Sequence, residues 1–279
     1  MVLFPNCKIN IGLNITSKRA DGYHNIATIF YPINWHDAIE LIPRSAVTLS
    51  SLPVAPVQFS YSGLPVPGNT SDNICLKAYH LLKKDFPELP PVFLHLHKSI
   101  PTGAGLGGGS ANGAFTLLLF NKKFNLNLSP EQLTGYALKL GSDCPFFIIN
   151  TPCYATGRGE QTEPLPLDLS AYSFLIVHPG IHIQTAWAFS KLTPVQPSKP
   201  IKSIVQQPIE TWSNELLNDF EPPVFREYPQ IAEVKKILYA NGALYASLSG
   251  SGSSVYGIFS KNKAPELKWD KNYTHKIIQ

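Results

Sequence analysis

The sequence predicts an α+β protein with two lobes. Helical and strand-like segments are mixed along the chain, long connections of irregular length separate them, and no internal repeat is present. With 279 residues, the chain is long for one domain and suits two fused ones. We place the two domains at residues 1–152 and 153–279.

The first segment, residues 1–17, alternates between apolar and polar side chains as a strand does. Cys7 and Ile9 lie on one side of this strand, and Lys8 and Asn10 lie on the other. A lysine in a half-buried strand usually points to solvent. We therefore expect Lys8 to be exposed unless another feature supplies a partner for it.

Turn and cap residues delimit the next elements. After a turn at residues 20–22, the apolar run 26–33 predicts a second strand. The Pro- and Gly-rich residues 52–68 predict short strands and loops. The Ser-Asp-Asn sequence at 71–73 predicts the start of a helix that continues over residues 74–82.

A strand, a loop and a helix are predicted near the middle of the chain. Residues 92–97 are rich in β-branched and aromatic side chains and predict a strand. The glycine-rich residues 101–109 follow it, and residues 110–120 predict a helix. A strand, a glycine-rich loop and a helix therefore follow one another directly.

The next helix has the clearest boundaries. Ser129 is its cap, Pro130 takes its first position, Gln132 completes a capping box and Gly141 ends it. The apolar residues 144–149 beyond it predict a buried strand.

The second half of the chain is richer in proline. Residues 174–177 predict a buried strand, and residues 194–200 predict a loop or linker. Residues 231–240 predict a helix that ends at an Asn-Gly pair. Residues 243–259 predict two strands joined by a glycine- and serine-rich turn.

Composition excludes several classes of protein. The chain is 44% hydrophobic and 15% charged with a net charge of +4, so we exclude a disordered chain and expect no nucleic-acid partner. The longest apolar stretches, 114–120 and 144–149, are too short to span a membrane. The first residues lack the basic region of a secretory signal. The four cysteines are scattered without CxxC spacing, which favours reduced thiols and a cytoplasmic location.

No metal site is predicted from protein side chains. His95 and His97 share one face of a predicted strand, but no third ligand is indicated. A surface pair that bonds across strands is the simpler interpretation.

The glycine-rich loop is the strongest candidate for a binding site. Five glycines within seven positions remove the side chains that would keep an anion from backbone N–H groups, and a helix start adds a positive dipole end. The loop lacks the lysine of a P-loop, the acidic residue of a dinucleotide site and the later motifs of protein kinases. Its candidate phosphate-binding residues are Pro101, Gly103, Ala104, Gly105, Leu106, Gly107, Gly108, Gly109 and Ser110.

Three other segments are open to two interpretations each. Asp143 is either a general base or a turn or capping carboxylate, and spacing alone favours the structural role. Residues 249–254 form either a donor-rich binding loop or a plain hairpin turn. Tyr23 and His24 either hold a base or sugar or simply pack.

Three segments and their order resemble the motifs of the GHMP small-molecule kinases: residues 5–10, 101–110 and 248–254. This resemblance implies a ribosomal protein S5-like N-terminal lobe, a ferredoxin-like C-terminal lobe, a substrate site in the cleft between them, and ATP with Mg²⁺. The middle segment would be the ATP-phosphate loop. In the same way, Asp143 would be the general base and Lys8 its charged partner.

Residues 19–24, 141–147 and 178–180 resemble the members of this family that act on a cytidine-diphosphate-linked polyol. Those members phosphorylate the 2-hydroxyl of the polyol, in the non-mevalonate route to isoprenoid precursors. The substrate-binding residues implied by the resemblance are Asn10, Tyr23, His24, Thr185, Phe189, Gly250, Ser251 and Gly252. No obligatory protein partner is indicated.

Two alternatives remain open. A homoserine or mevalonate kinase of the same family would share the loop, although neither substrate has a base for Tyr23 and His24 to hold. A catalytically inactive nucleotide-binding regulator would not need both Lys8 and Asp143. The chain departs from the family pattern at Cys7 and Ser142, where alanine is common, and these are small replacements.

Overall fold

The computed structural model describes residues 1–44 and 56–279. These residues form two compact units, and each unit is discontinuous in sequence. The first contains Met1–Cys7, Trp35–Thr102 and Gly108–Asn150, and the second contains Lys8–Asn34, Gly103–Gly107 and Thr151–Gln279. The first unit combines helices with one four-stranded sheet, and the second combines helices with two such sheets. The predicted α+β class is therefore confirmed. The domain boundary at residue 152 stays a prediction, and residues 8–34 and 103–107 group with the second unit.

The first unit contains one four-stranded sheet. In spatial order its strands are β1 (Val2–Leu3), β4 (Ala38–Pro43), β6 (Val92–Lys98) and β5 (Val57–Gly63). β4 is antiparallel to β1 and β6, and β5 is parallel to β6. β5 lies within the region predicted to hold short strands, of which residues 52–55 are outside the described residues.

Side chains alternate across this sheet, so one face is buried and apolar and the other is exposed and mostly polar, with Ile42 and Phe93 as apolar exceptions. On the polar face, His95 accepts or donates hydrogen bonds with Ser60 and Ser62 of the neighbouring strand, at 2.8 and 2.9 Å. His97 bonds Ser62 at 3.0 Å. This confirms the cross-strand surface pair.

The α-helices of the first unit are α1 (Ile74–Asp85), α2 (Gly108–Phe124), α3 (Pro130–Leu140) and α4 (Cys144–Ile149). Of these, α2 contacts β1 and β4 of the sheet, and α1, α3 and α4 pack against α2. The predicted cap of α1 is confirmed, since the Asn73 side chain accepts a hydrogen bond from the Cys75 N–H at 2.9 Å. In α3, the Gln132 side chain accepts from the Ser129 N–H at 2.9 Å and completes the predicted capping box.

The strand predicted at residues 144–149 is wrong, because this segment is α4. An apolar run of this length is equally compatible with a buried strand and with a short helix. Pro145 decides the outcome, because proline suits the first turn of a helix and cannot donate to a sheet. Asn150 ends the helix in a left-handed conformation, with its N–H bonded to the Phe146 carbonyl at 2.7 Å.

The first of two sheets in the second unit begins with the long N-terminal strand. In spatial order its strands are β2 (Asn6–Lys18), β3 (His24–His36), β7 (Cys153–Thr156) and β8 (Gln161–Pro164). The first two residues of β2 and the last two of β3 belong to the first unit. Residues 6–13 are all buried, on both faces of the strand.

The second sheet carries the C-terminal elements. Its order is β10 (Tyr245–Leu248), β11 (Val255–Ser260), β9 (Tyr172–His178) and β12 (Thr274–Ile278), all antiparallel. The helices of this unit are α5 (Thr185–Ser190), α6 (Ile201–Ile204), α7 (Trp212–Glu215), α8 (Glu221–Glu227) and α9 (Pro229–Ala240). The predicted strand at 174–177, helix at 231–240 and hairpin at 243–259 are confirmed. No helix among the described residues combines the length and the hydrophobicity of a membrane span.

Candidate active site

Lys8 and Asn10 form a buried polar pair on β2. Because they are two residues apart, both side chains leave the same face of the strand. The Lys8 ammonium donates to Asn10 Oδ1 at 2.5 Å and lies 4.7 Å from the centre of the Phe30 ring. Lys8 is 4% exposed and Asn10 2%. The expectation of an exposed Lys8 is therefore wrong, because both faces of this part of β2 are covered.

Further hydrogen bonds fix the position of Asn10. Its side-chain amide donates to the Thr28 hydroxyl at 3.0 Å, and the Thr28 hydroxyl donates to the Gly12 carbonyl at 2.5 Å. The Tyr256 hydroxyl donates to the Asn10 carbonyl at 2.8 Å. With its carbonyl and both ends of its amide engaged, Asn10 has a single orientation available.

The glycines of the 101–110 loop adopt the backbone of an anion-binding nest. Gly103, Gly105 and Gly107 have φ of 71°, 78° and 68°, whereas Ala104 and Leu106 between them keep negative φ. This alternation turns successive N–H groups towards one side, which is how protein backbones cradle anions.

The carbonyls of this loop face the protein. The Ala104 carbonyl accepts from the Ser254 N–H at 3.1 Å, and the Leu106 carbonyl accepts from the Lys8 N–H at 2.9 Å. The Gly105 carbonyl accepts from the Ser249 hydroxyl at 2.8 Å. Within a planar peptide the C=O and the next N–H point in opposite directions. The N–H groups that follow these carbonyls therefore point away from the protein side of the loop.

Residues 249–254 are both the turn between β10 and β11 and a partner of the glycine-rich loop. The turn is closed by the Ser249 N–H, which donates to the Ser254 carbonyl at 2.9 Å. The Ser249 hydroxyl also accepts from the Asn10 N–H at 3.3 Å. A Cβ on Gly105 would lie 2.1 Å from the Ser249 carbonyl oxygen, so only glycine permits this approach. Three segments far apart in sequence therefore meet within the second unit.

The last part of the loop belongs to the first unit and begins α2. The helix starts at Gly108, two residues before the predicted start, and Gly109 and Ser110 complete its first turn. The first N–H groups of a helix lack partners within the helix, and its dipole favours a negative charge there. Pro101 at the other end of the loop is buried.

Asp143 lies at the N-cap position of α4, in the first unit. Among the described residues, its carboxylate makes no capping hydrogen bond to this helix. Helix capping therefore does not explain why an aspartate occupies this position. The neighbouring Cys144 begins α4, which packs against α2. Burial raises the pKa of the Cys144 thiol to about 12, which keeps it protonated. The pairing of Asp143 with Lys8 stays a prediction.

The aromatic residues implied to hold the base fall in the second unit. The His24 and Phe189 rings stack on each other, with centres 4.9 Å apart and planes 16° apart. A base between two rings needs a gap of about 7 Å, twice the van der Waals contact distance. In this conformation, His24 and Phe189 form one side of a stacking site and do not enclose a base between them.

Tyr23 offers a second aromatic surface. It is 57% exposed, and the Arg158 guanidinium lies 5.1 Å from the centre of its ring. The Thr185 and Ser251 hydroxyls are 3.4 Å apart, which joins the start of α5 to the 249–254 turn. Gly250 and Gly252 in that turn have φ of 58° and 96°.

Sequence reasoning missed two residues that shape this region. The Asn218 amide donates to the carbonyls of Leu248 and Gly250 at 2.8 and 2.9 Å and so fixes the 249–254 turn. Arg158 was also missed, and its position between Gly157 and Gly159 is the local signal that could have marked it. No local pattern marks Asn218, since its partners lie 30 and 32 residues away.

A protein-only metal site is absent from the described part of the chain: no three His, Cys, Asp or Glu side chains group there as ligands. Mg²⁺ prefers oxygen ligands and usually binds through one or two protein groups, phosphates and water. The Ser110 hydroxyl, in the first turn of α2, is an oxygen donor of this kind. This donor fits Mg²⁺ that arrives with a nucleotide.

Two family models match the chain. One described as GHMP kinases N terminal domain matches residues 73–151, and one described as GHMP kinases C terminal matches residues 201–270. A curated 4-diphosphocytidyl-2-C-methyl-D-erythritol kinase of Bacteroides thetaiotaomicron is 48% identical to this chain over 275 residues. The match covers 98% of this chain and 97% of that relative.

Solved structures agree with these matches. The crystal structure of a 4-(cytidine 5'-diphospho)-2C-methyl-D-erythritol kinase has a TM-score of 0.77 and 28% identity, and covers 92% of this chain and 90% of its own. A mevalonate kinase structure has a TM-score of 0.70 at 14% identity, covers 95% of this chain and 93% of its own, and shows a common fold only.

Proposed function

Because the chain belongs to the GHMP kinase family, we propose that it transfers the γ-phosphoryl group of ATP to the 2-hydroxyl of 4-diphosphocytidyl-2-C-methyl-D-erythritol. The Bacteroides relative and the solved structure are named for this substrate. The reaction belongs to the non-mevalonate route to isoprenoid precursors. A cytoplasmic location stays a prediction.

The observation that carries the proposal is the interlocking of the three family motifs. Lys8 N–H, Ser249 hydroxyl and Ser254 N–H each donate to a carbonyl of the glycine-rich loop. These bonds tie the loop to both other motifs and turn its N–H groups outward. A preorganised set of N–H donors is what phosphoryl transfer requires, because the reaction depends on positioning and on neutralising charge.

In this proposal, the outward N–H groups of Gly103–Gly107 and the first turn of α2 hold the triphosphate of ATP. Mg²⁺ would accompany the phosphates, with Ser110 as an oxygen donor, and would neutralise part of their negative charge. The role of this chain is to fix the γ-phosphorus in line with the accepting hydroxyl.

Asp143 is the proposed base for the 2-hydroxyl, and Lys8 is its charged partner. The Lys8 ammonium favours the ionised form of a nearby carboxylate and stabilises negative charge that develops on the accepting oxygen. Its bond to Asn10 holds the ammonium in one place. Asn10 itself is proposed to orient the erythritol part of the substrate. In a loose transition state the proton leaves the hydroxyl late, so Asp143 chiefly orients the nucleophile.

The cytidine end is proposed to bind the aromatic residues of the second unit. The stacked pair of Phe189 and His24 forms one surface, and Tyr23 supplies another. Thr185 and the 250–252 turn would close around the substrate. Homoserine and mevalonate have no base that would use these surfaces.

An acceptor panel tests the proposal. Release of ADP is measured with the full-length protein, Mg²⁺ and ATP against the cytidine-diphosphate-linked polyol, mevalonate and homoserine. Asp143→Asn is measured in parallel. Asp72→Asn is the matched control, because it makes the same change at an exposed carboxylate, which lies 3.8 Å from the Lys77 ammonium.

We expect saturable activity with the cytidine-linked polyol alone, lost in Asp143→Asn and kept in Asp72→Asn. Activity with homoserine or mevalonate alone would overturn the substrate assignment. ATP binding without activity on any acceptor would favour the inactive regulator instead.

A further inference from the structure

Asp37, between β3 and β4, is one of the most completely bonded side chains in the first unit. It is 1% exposed. Its Oδ1 accepts from the Ser99 and Ile100 N–H groups at 2.7 and 2.8 Å. Its Oδ2 accepts from the Asn112 amide at 2.8 Å and from the Lys98 ammonium. Four donors therefore converge on one buried carboxylate.

These donors flank the glycine-rich loop on both sides. Lys98, Ser99 and Ile100 lie directly before Pro101, where the loop begins. Asn112 lies in the second turn of α2, where the loop has ended. One carboxylate thus fixes the distance between the entry and the exit of the loop.

The Lys98 ammonium of this cluster lies where the dipole of α2 disfavours a positive charge. A Cβ on Gly108, the first residue of α2, would lie 3.0 Å from the Lys98 ammonium, so this cation lies at the N-terminal end of the helix. The helix dipole repels a cation there. The Asp37 carboxylate provides the opposing charge that keeps Lys98, which is 3% exposed, in this position.

Stability alone does not explain such a cluster. Removing water from two charges costs free energy that their attraction does not always return, and apolar replacements of buried ion pairs are often as stable. Apolar side chains cannot supply a directional hydrogen-bond acceptor. Asp37 supplies one both to the Ser99 and Ile100 N–H groups, in the stem before the loop, and to the Asn112 amide, in the stem after it.

We propose that Asp37 is a positioning residue for ATP, which holds both stems of the glycine-rich loop at the spacing that its N–H groups need to receive the phosphates. This proposal rests on the proposed function, because it assumes that the loop binds ATP. Asp37 acts through the stems and touches no substrate.

Two double variants separate positioning from a general contribution to stability. Asp37→Asn/Lys98→Met removes both charges and keeps an oxygen that accepts from Ser99 and Ile100. Asp37→Val/Lys98→Met removes both charges and this acceptor as well. Both avoid the unpaired buried ammonium that Asp37→Asn alone would leave. Because Lys98 is changed equally in both, any role of its own cancels in the comparison.

The measurement is calorimetric binding of a non-hydrolysable ATP analogue and, separately, of CDP to the wild type and both variants, with thermal unfolding recorded for each. We expect the Val variant to bind the ATP analogue at least about tenfold more weakly than the Asn variant, since a hydrogen bond to a buried acceptor is worth about this factor. Affinity for CDP should be equal in the two.

Equal affinity of the two variants for the ATP analogue would overturn the positioning role. An equal loss of ATP-analogue and CDP binding in the Val variant would also overturn it, because this indicates general loosening of the fold. Failure of the wild type itself to bind the ATP analogue would overturn the proposed function, which makes the two failures distinguishable.

Discussion

Replacing Gly105 by alanine adds one methyl group at the centre of the glycine-rich loop. The residue has a φ of 78°, and its Cβ would lie 2.1 Å from the Ser249 carbonyl oxygen and 3.0 Å from the Gly252 carbonyl oxygen. Real Cβ atoms essentially never approach a backbone atom within 3.0 Å. The loop or the 249–254 turn must therefore move by about 1 Å.

The cost has two parts. The left-handed backbone conformation costs an alanine roughly 1–2 kcal/mol, which lowers the population of the wild-type loop conformation about 5- to 30-fold. A displacement of about 1 Å between reacting groups lowers rates by about 10²-fold. We expect kcat/KM for ATP to fall about 10²-fold or more, because the N–H groups no longer meet the phosphates.

The assay is steady-state ADP release with ATP varied at saturating acceptor, and thermal unfolding confirms that the variant is folded. Gly135→Ala is the matched control, because a Cβ at this helical position in α3 meets nothing within 4 Å. It should keep full activity. A Gly105→Ala enzyme within about threefold of wild type would refute the close approach of the two segments.

Three further predictions concern chemistry, the base site and pH. Asp143→Ala should lower kcat about 10²- to 10⁴-fold in the ADP assay and leave the affinity for an ATP analogue unchanged, and a loss of less than tenfold would contradict its role as base. Phe189→Leu should raise the KM for the cytidine-linked acceptor, because about 1–3 kcal/mol of base stacking is lost. Trp187→Leu, on the same helix, is the control. An unchanged KM in Phe189→Leu would rule out stacking of the base on this ring. Burial lowers the pKa of His178 from 6.5 to about 4. The unfolded chain therefore binds a proton at higher pH than the folded chain, and the free energy of unfolding should fall by up to about 3 kcal/mol as pH drops from about 6.5 to about 4. In denaturant unfolding at several pH values, His178→Gln should flatten this dependence, and an equally steep curve would exclude His178 as its source.

Local signals predicted the elements whose boundaries depend on neighbouring residues. The capping box of Ser129 and Gln132 and the stop at Gly141 located α3, because a cap bonds only within its own turn. The turn at 249–254 and its flanking strands followed from glycine and serine clusters. The segment 144–149 was misassigned because its apolar run carries no period, and only Pro145 distinguishes a helix from a strand.

Long-range partners account for what the sequence did not reveal. The burial of Lys8 depends on cover over both faces of β2, which alternation of side chains within the strand does not report. Asn218 bonds carbonyls 30 and 32 residues away, and Asp37 bonds groups 61 to 75 residues away. Such residues look like ordinary polar side chains until the fold brings their partners to them.

The most direct test of the proposed reaction follows the phosphorus atom itself. ATP labelled with ¹⁸O on its γ-phosphoryl group is incubated with the enzyme and the cytidine-diphosphate-linked polyol, and the products are examined by ³¹P NMR and mass spectrometry. We predict one new phosphate monoester, bonded to the 2-hydroxyl oxygen of the polyol and carrying all three labelled oxygens. Labelled inorganic phosphate beside unchanged polyol, or a monoester at another hydroxyl, would contradict the account.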